Sequence, residues 1–285
     1  MAIYDDSAPV GSTEDIFMIK LIALDIDDTL IGADGAISDE NIRALRKASD
    51  SGIRLALASG RAYNGMLRYM DAIPGITDVI ACASSQVFKD GKLVRSNPLS
   101  DNDVRRLYNY ATAAGCEVQL YIGPDFCYTH TTEHTKFYSG LYKHTGRLID
   151  LNSMNELNSV KVLINSGQDE GGTARAKTIK NEIAAAFPHL TVLTSKPWYI
   201  EVLNPGSSKG AALEQLSREL GLERCEVAAI GDSMIDLSMI EWAGLGIAMQ
   251  NSVPEVLSAA DFITLSADDN GVAYFIDKLL SGSIL

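Results

Sequence analysis

The 285-residue chain has only four cysteines, Cys82, Cys116, Cys127 and Cys225, separated by 34, 11 and 98 residues. That spacing excludes a C-x-x-C zinc or redox pair and a disulfide-dense scaffold. No apolar run approaches the ~20 residues that a membrane-spanning helix requires. The first seventeen residues, MAIYDDSAPVGSTEDIF, lack the basic flank and apolar stretch of a signal peptide and are expected to form a mobile leader before a start-like Met18. Positive charge is scarce: 24 Lys and Arg stand against 37 Asp and Glu, a net charge of −13. Such an acidic chain is a poor partner for bulk nucleic acid or an anionic membrane. The expectation is a soluble cytoplasmic protein with free thiols, monomeric or weakly homo-oligomeric.

What is present is a repeated grammar. Strand-length apolar runs alternate with amphipathic helical stretches: strands at 19–24, 53–58 and 78–83, a helix at 38–51, and another through the sixties. Ser38 is placed to cap the first helix, and Gly52 follows its end. After residue 197 the pattern resumes, with strands at 198–203, 226–230, 245–249 and near 262–265. Helices at 208–220, 233–242, 253–260 and 271–280 lie among them. Apolar strands alternating with helices predict a parallel sheet covered on both faces. The intervening 86–197 is more polar, with helix-like stretches at 101–114 and 173–187 and short strands at 116–122 and 160–165. It reads as an inserted α+β unit, and no internal repeat is visible.

Chemistry-bearing residues collect at strand ends. IALDIDDTL ends on Asp25, Asp27, Asp28 and Thr29; LALASGR ends on Ser59, Gly60 and Arg61; VAAIGDSMID ends on Asp232, Ser233 and Asp236. In open α/β sheets, ligands bind outside the carboxyl ends of the strands. These carboxylates would therefore crowd into one volume and raise one another's pKa unless a cation offsets them. Mg²⁺, a hard ion that accepts few protein carboxylates and keeps waters, fits that need. Singly, each Asp could be a cap or turn former; three strand ends together favour a metal site. Lys209 stands in the first turn of the helix opened by Ser207 and Ser208, where a cation opposes the helix dipole. A phosphate bound there would relieve the conflict.

The segments D-I-D-D-T-L, A-S-G-R, S-S-K-G and G-D-S-M-I-D-L-S-M-I resemble, in order and separation, the four motifs of the haloacid dehalogenase-like superfamily. The tail G-I-A-M-Q-N-S-V-P-E-V with D-N-G-V-A resembles its Cof-type sugar-phosphatase branch. The resemblance implies a Rossmann-like, doubly wound α/β core at 18–85 and 198–285, with an α+β cap at 86–197 that sets substrate selectivity. It implies Mg²⁺-dependent hydrolysis of a small phosphomonoester, a sugar phosphate or similar metabolite. Asp25 would be the nucleophile that forms an aspartyl-phosphate, and Asp27 the general acid and then base. Ser59, Gly60, Ser84, Ser85 and Lys209 would hold the phosphate. Mg²⁺ would be held by the carboxylates of Asp25 and Asp232 and the backbone carbonyl of Asp27. Asp236, Thr29, Ser233 and Asn251 would stand behind these ligands.

Two departures from the family pattern stand out. Ile235 replaces the usual Asn before the second aspartate of the last motif, and Ser84-Ser85 replaces an Asn-Gly pair. They motivate an alternative: a catalytically weakened phosphometabolite-binding or regulatory protein on the same fold. A phosphomutase is a further alternative. A remote one is a zinc peptidase, because His130-Thr131-Thr132-Glu133-His134 spells H-x-x-E-H. Aromatic residues cluster in the insert, from Tyr108 through Tyr121, Tyr138 and Tyr142 to Tyr199. Most are expected to form its core, with a few facing the other domain.

Overall fold

The computed structural model of the protein describes residues 19–33 and 35–284, so the expected leader lies outside the described residues. The chain begins a sheet with β1 (Leu21–Leu24), continued by α1 (Asp39–Asp50), β2 (Arg54–Ala58), α2 (Leu67–Ala72) and β3 (Asp78–Ala81). Ser38 Oγ caps α1 by accepting from the Asn41 amide at 3.1 Å. A hairpin, β4 (Gln86–Lys89) and β5 (Lys92–Ser96), then extends the same sheet antiparallel to β3.

The second layer follows as α3 (Asp101–Ala113), β6 (Glu117–Ile122), β7 (Asp125–Tyr128), α4 (Glu133–Tyr142), β8 (Arg147–Leu148) and β9 (Ser159–Asn165). It closes with α5 (Gly172–Ala186), β10 (Thr191–Lys196) and β11 (Tyr199–Leu203). Its sheet runs β10-β11-β9-β6-β7-β8, antiparallel except for the pair β7 and β8. The chain then returns to the first sheet with α6 (Lys209–Leu220), β12 (Val227–Gly231), α7 (Leu237–Trp242), β13 (Leu245–Ala248), α8 (Pro254–Ala259), β14 (Phe262–Ile263) and α9 (Gly271–Leu280).

The first sheet has the order β14-β13-β12-β1-β2-β3-β4-β5, parallel from β14 to β3. Successive side chains point to opposite faces, so each strand feeds two cores. Ile22, Leu24, Leu55 and Leu57 pack with α1 and α9, whereas Leu21, Ala23, Ala56 and Ala58 pack with α6, α7 and α8. This two-sided burial explains the nearly continuous apolar strands. The order reverses at β1, between β2 and β12, which places the ligand crevice beyond the carboxyl ends of those three strands.

The expected boundaries of the insert need correction at both ends. Residues 86–96 belong to the first sheet, and Tyr199–Leu203 belongs to the second, paired antiparallel with β9 and β10. The crossings between sheets are 97–100 and 204–208, and they run side by side. Asn97 Nδ2 donates to the Pro205 carbonyl at 3.2 Å, and Asn204 Nδ2 donates to the Pro98 carbonyl at 2.7 Å. Two expected elements are also shorter. β3 stops at Ala81 because Cys82, Ala83 and Ser84 all take left-handed φ values of 55°, 53° and 79°. α7 starts only at Leu237 because Asp236 gathers the preceding backbone onto its carboxylate, as described below.

In the second sheet, Val118, Leu120, Val162, Ile164, Ile200 and Val202 face α3 and α5. The alternate positions Tyr121 and Leu163 join the core cluster of the first domain. The buried polar residues Gln119, Lys161 and Glu201 share that alternate register. All four cysteine thiols are free, and no described helix is long and apolar enough to cross a membrane.

Candidate active site

Asp25 follows β1 directly, with its amide bonded to the Ile230 carbonyl of β12 at 3.0 Å. The chain then turns: Asp28 has φ +62°, and the amides of Leu30 and Ile31 both reach the Ile26 carbonyl at 3.0 Å. The turn leaves Asp27 and Asp28 exposed while burying Asp25 and Thr29. Asn251 ties this loop to the far side of the crevice. Its Nδ2 donates to the Asp28 carbonyl at 2.8 Å, and its Oδ1 accepts from the Ala267 amide at 3.0 Å.

Three of the expected aspartates converge. Asp25, Asp232 and Asp236 bring carboxylate oxygens within 4.8 Å of one another, all buried. Lys209 lies among them, donating to Asp25 Oδ1 at 2.6 Å and to Asp236 Oδ1. The lysine's conflict with the dipole of α6 is thus answered by two carboxylates of the chain itself. Asp236 is fully committed: its Oδ2 accepts from the amides of Asp232 at 3.2 Å and Ser233 at 2.9 Å, and from the Ser233 hydroxyl at 2.6 Å. Glycine at 231 permits this, since a Cβ there would stand 2.5 Å from Asp236 Cβ. Asp232 Oδ1 accepts from the Thr29 hydroxyl at 2.7 Å.

The charges do not balance. Fully ionised, three carboxylates would face one ammonium, an excess of two negative charges in a buried volume. Burial, reinforced by the charge of Asp236, holds the Asp25 carboxyl well above the usual range although Lys209 opposes the shift. Burial likewise pushes Asp232 up to about 7, against the Thr29 hydrogen bond that lowers it. For Lys209, burial works against the charge, but Asp236 and Asp25 outweigh it and hold the ammonium above its ordinary range. A hard divalent cation on the remaining oxygens of Asp25 and Asp232 would cancel the excess, so the donor set fits Mg²⁺.

Asp27 stands apart from this cluster. Its half-exposed carboxylate is held by a bidentate fork, Arg61 Nε to Oδ2 at 3.0 Å and Arg61 Nη2 to Oδ1 at 2.5 Å. Ser59 Oγ accepts from the Arg61 amide at 3.3 Å. The loop after β3 is sewn to this one, Cys82 N to Arg61 O at 2.8 Å and Ala83 N to Ser59 O at 3.2 Å. Ser84 and Ser85 are buried there. The Ser84 hydroxyl donates to the Ala83 carbonyl, and the Ser85 hydroxyl to Ser207 Oγ at 3.2 Å.

Two participants escaped the sequence reading. Arg61 was visible only as a strand-end residue; its pairing with Asp27 spans 34 positions. Lys161, on β9, is buried and donates to the Gly60 carbonyl at 2.6 Å and to Glu201 at 3.2 Å. Its signal was a lysine inside the apolar run SVKVLIN.

The H-x-x-E-H segment does not form a metal site. His130 lies before α4, which starts at Glu133, so the two histidines do not share a helix face. His130 bonds Thr129 at 2.8 Å, Glu133 pairs with Lys136 at 2.7 Å in solvent, and His134 packs on Tyr138 and Tyr199. Among the described residues, the one gathering of potential ligands is the aspartate cluster.

The sequence profile of the haloacid dehalogenase-like hydrolases matches residues 22–276. The 5-amino-6-(5-phospho-D-ribitylamino)uracil phosphatase YwtE of Bacillus subtilis is 30% identical over 295 residues, covering 93% of this chain and 99% of its own. Phosphatase YwpJ of the same organism is 27% identical over 287 residues, covering 92% and 100%. A crystal structure of a haloacid dehalogenase-like hydrolase from Bacteroides thetaiotaomicron superposes with a TM-score of 0.83 at 30% identity, covering 92% of this chain and 99% of that one.

Proposed function

The chain belongs to the haloacid dehalogenase-like hydrolases, and from that premise we propose that this phosphatase cleaves small phosphomonoesters through a phosphoryl group carried on Asp25. The observation that carries the reading is the buried junction of Asp25, Lys209, Asp236 and Asp232 at the carboxyl ends of β1 and β12. Asp25 attacks phosphorus. Lys209 neutralises charge on the phosphoryl oxygens and is itself aimed by Asp236. Asp27 protonates the departing alcohol, then takes the proton from the water that cleaves the aspartyl-phosphate. Two-step transfer divides one hard displacement into two easier ones. Ser59 and the backbone of Gly60 bind phosphate oxygens.

Mg²⁺ would be held by the carboxylates of Asp25 and Asp232 and the carbonyl of Asp27. When bound it supplies charge neutralisation and orientation of the phosphoryl group. Thr29 and Ser233 fix Asp232 and Asp236 from behind, and Asn251 steadies the Asp28 end of the loop. The second sheet and its helices, residues 101–203, act as a cap that selects substrate and excludes water. A phosphorylated sugar or polyol of the cytoplasm suits this design; the relative YwtE carries a phosphoribityl compound in its name.

The test is hydrolysis of p-nitrophenyl phosphate by purified protein with Mg²⁺, with chelator, and with Asp25→Asn. Activity that requires both Mg²⁺ and Asp25 is expected. Turnover that survives either removal would overturn the reading.

A further inference from the structure

Among the contacts between cap and core, two fall on adjacent residues of the loop after β2. Gly60 gives its carbonyl to Lys161 of β9 at 2.6 Å. Arg61 lies under the ring of Tyr142, the last residue of α4, with its guanidinium carbon 4.3 Å from the centroid. Tyr69 of α2 flanks the same guanidinium at 5.1 Å. Tyr142 is braced from within the cap. Tyr138, one turn earlier, meets it edge-on at 4.3 Å, and the Tyr138 hydroxyl bonds the Tyr121 hydroxyl of β6 at 2.7 Å. The side chain of Arg61 is 3% exposed, and that of Asp27 is 51% exposed.

These contacts form a line from cap to reacting groups: Tyr121, Tyr138, Tyr142, Arg61, Asp27. The Asp27 carboxylate has open space around it, and both of its oxygens are held by Arg61. A bidentate fork fixes a carboxylate only if the guanidinium plane is itself fixed. Here that plane is set by an aromatic face contributed by the cap. We propose that Tyr142 and Arg61 are positioning residues through which cap closure sets the Asp27 carboxylate at the leaving-group oxygen. The inference rests on the phosphatase reading above and adds a coupling to it. With the cap away, Arg61 loses the nearer of its two aromatic neighbours and keeps only Tyr69, the fork loosens, and proton delivery to the alcohol is impaired. Protonation of the leaving group is thereby confined to the closed, water-excluding state.

Leaving groups separate this from a merely structural role. p-Nitrophenolate departs with little help, whereas phenolate needs a proton more. The experiment measures kcat/KM with Mg²⁺ for p-nitrophenyl phosphate and phenyl phosphate in wild type, Arg61→Gln, Tyr142→Leu and Tyr142→Phe. General acid catalysis contributes roughly 10²- to 10⁴-fold. The expected result is that Arg61→Gln and Tyr142→Leu lose about tenfold more on phenyl phosphate than on p-nitrophenyl phosphate. Tyr142→Phe, which keeps the aromatic face, should retain the wild-type ratio. Equal losses on both esters, or an unchanged ratio in Tyr142→Leu, would overturn the coupling while leaving the phosphatase reading intact. Should Tyr142→Leu fail to fold by circular dichroism, the ratio in Arg61→Gln decides. A wild type inactive on both esters overturns the reading and the inference together.

Discussion

Stripped of metal, the protein is predicted to lose stability as pH rises from 5 to 7. The perturbation acts on Asp232, whose carboxyl is pushed up to about 7 by burial and by the charges of Asp236 and Asp28. In the unfolded chain an aspartate titrates near ~3.9. Between those values the folded state holds a proton that the unfolded state has released. Stability therefore falls by about 1.4 kcal/mol per pH unit across that window. From pH 5 to 7 the fall amounts to about 2 kcal/mol, because the slope halves as the folded group reaches its own titration point. Asp25, raised by burial and by Asp236, acts in the same direction. The assay is urea unfolding in chelator at pH 5, 6, 7 and 8, repeated with Asp232→Asn and with saturating Mg²⁺. Asn at 232 can still accept from Thr29, so the variant removes the charge and keeps the contact. Chelated wild type should show the decline, and Asp232→Asn much less of it. Mg²⁺ at a hundred times its Kd should restore about 2.7 kcal/mol at pH 7 and above. Stability that stays flat or rises over this range, with the variant tracking wild type, would refute the electrostatic reasoning.

Thr29→Val removes the hydroxyl that fixes Asp232 Oδ1, and should raise the Mg²⁺ concentration needed for thermal stabilisation by roughly 10- to 100-fold. An unchanged Mg²⁺ dependence of Tm would show that Asp232 is oriented by something else. Gly231→Ala forces a Cβ to 2.5 Å from Asp236 Cβ. Urea denaturation should register a cost of about 1–3 kcal/mol, accompanied by a fall in kcat as Asp236 is displaced from Lys209. Ile235→Asn restores the residue usual in the family and should maintain or raise activity; a tenfold loss in kcat would mean that Ile235 belongs to a different site design.

Much of this was legible in the chain because the governing interactions are local or periodic. The apolar runs ending in Asp25 and Asp232 announce buried parallel strands, and carboxylates at strand ends converge wherever strands are parallel neighbours. Ser38 and Ser208 sit where helix capping demands them. What escaped depends on pairings that no local pattern encodes. The segment 86–96 and the strand 199–203 each lie in the sheet opposite to the one the pattern predicts, because alternation tells that a segment is extended and not which edge it joins. The segment 233–236 reads as the start of a helix until Asp236 is seen drawing backbone amides onto its carboxylate. The fork between Arg61 and Asp27 joins two core loops 34 positions apart, and the grip of Lys161 on Gly60 arises only when cap and core are brought together.

The mechanism requires that Asp25 carry the phosphoryl group. Its most direct test is mass spectrometry of acid-quenched protein after reaction with p-nitrophenyl phosphate. Asp27→Asn is the variant of choice, since hydrolysis of the intermediate should be slowed while the aryl group still departs unaided. One phosphoryl group on the peptide containing Asp25 is the predicted result, absent from the Asp25→Asn, Asp27→Asn double variant. A phosphoryl group on any other residue, or sustained turnover in Asp25→Asn, would contradict the account.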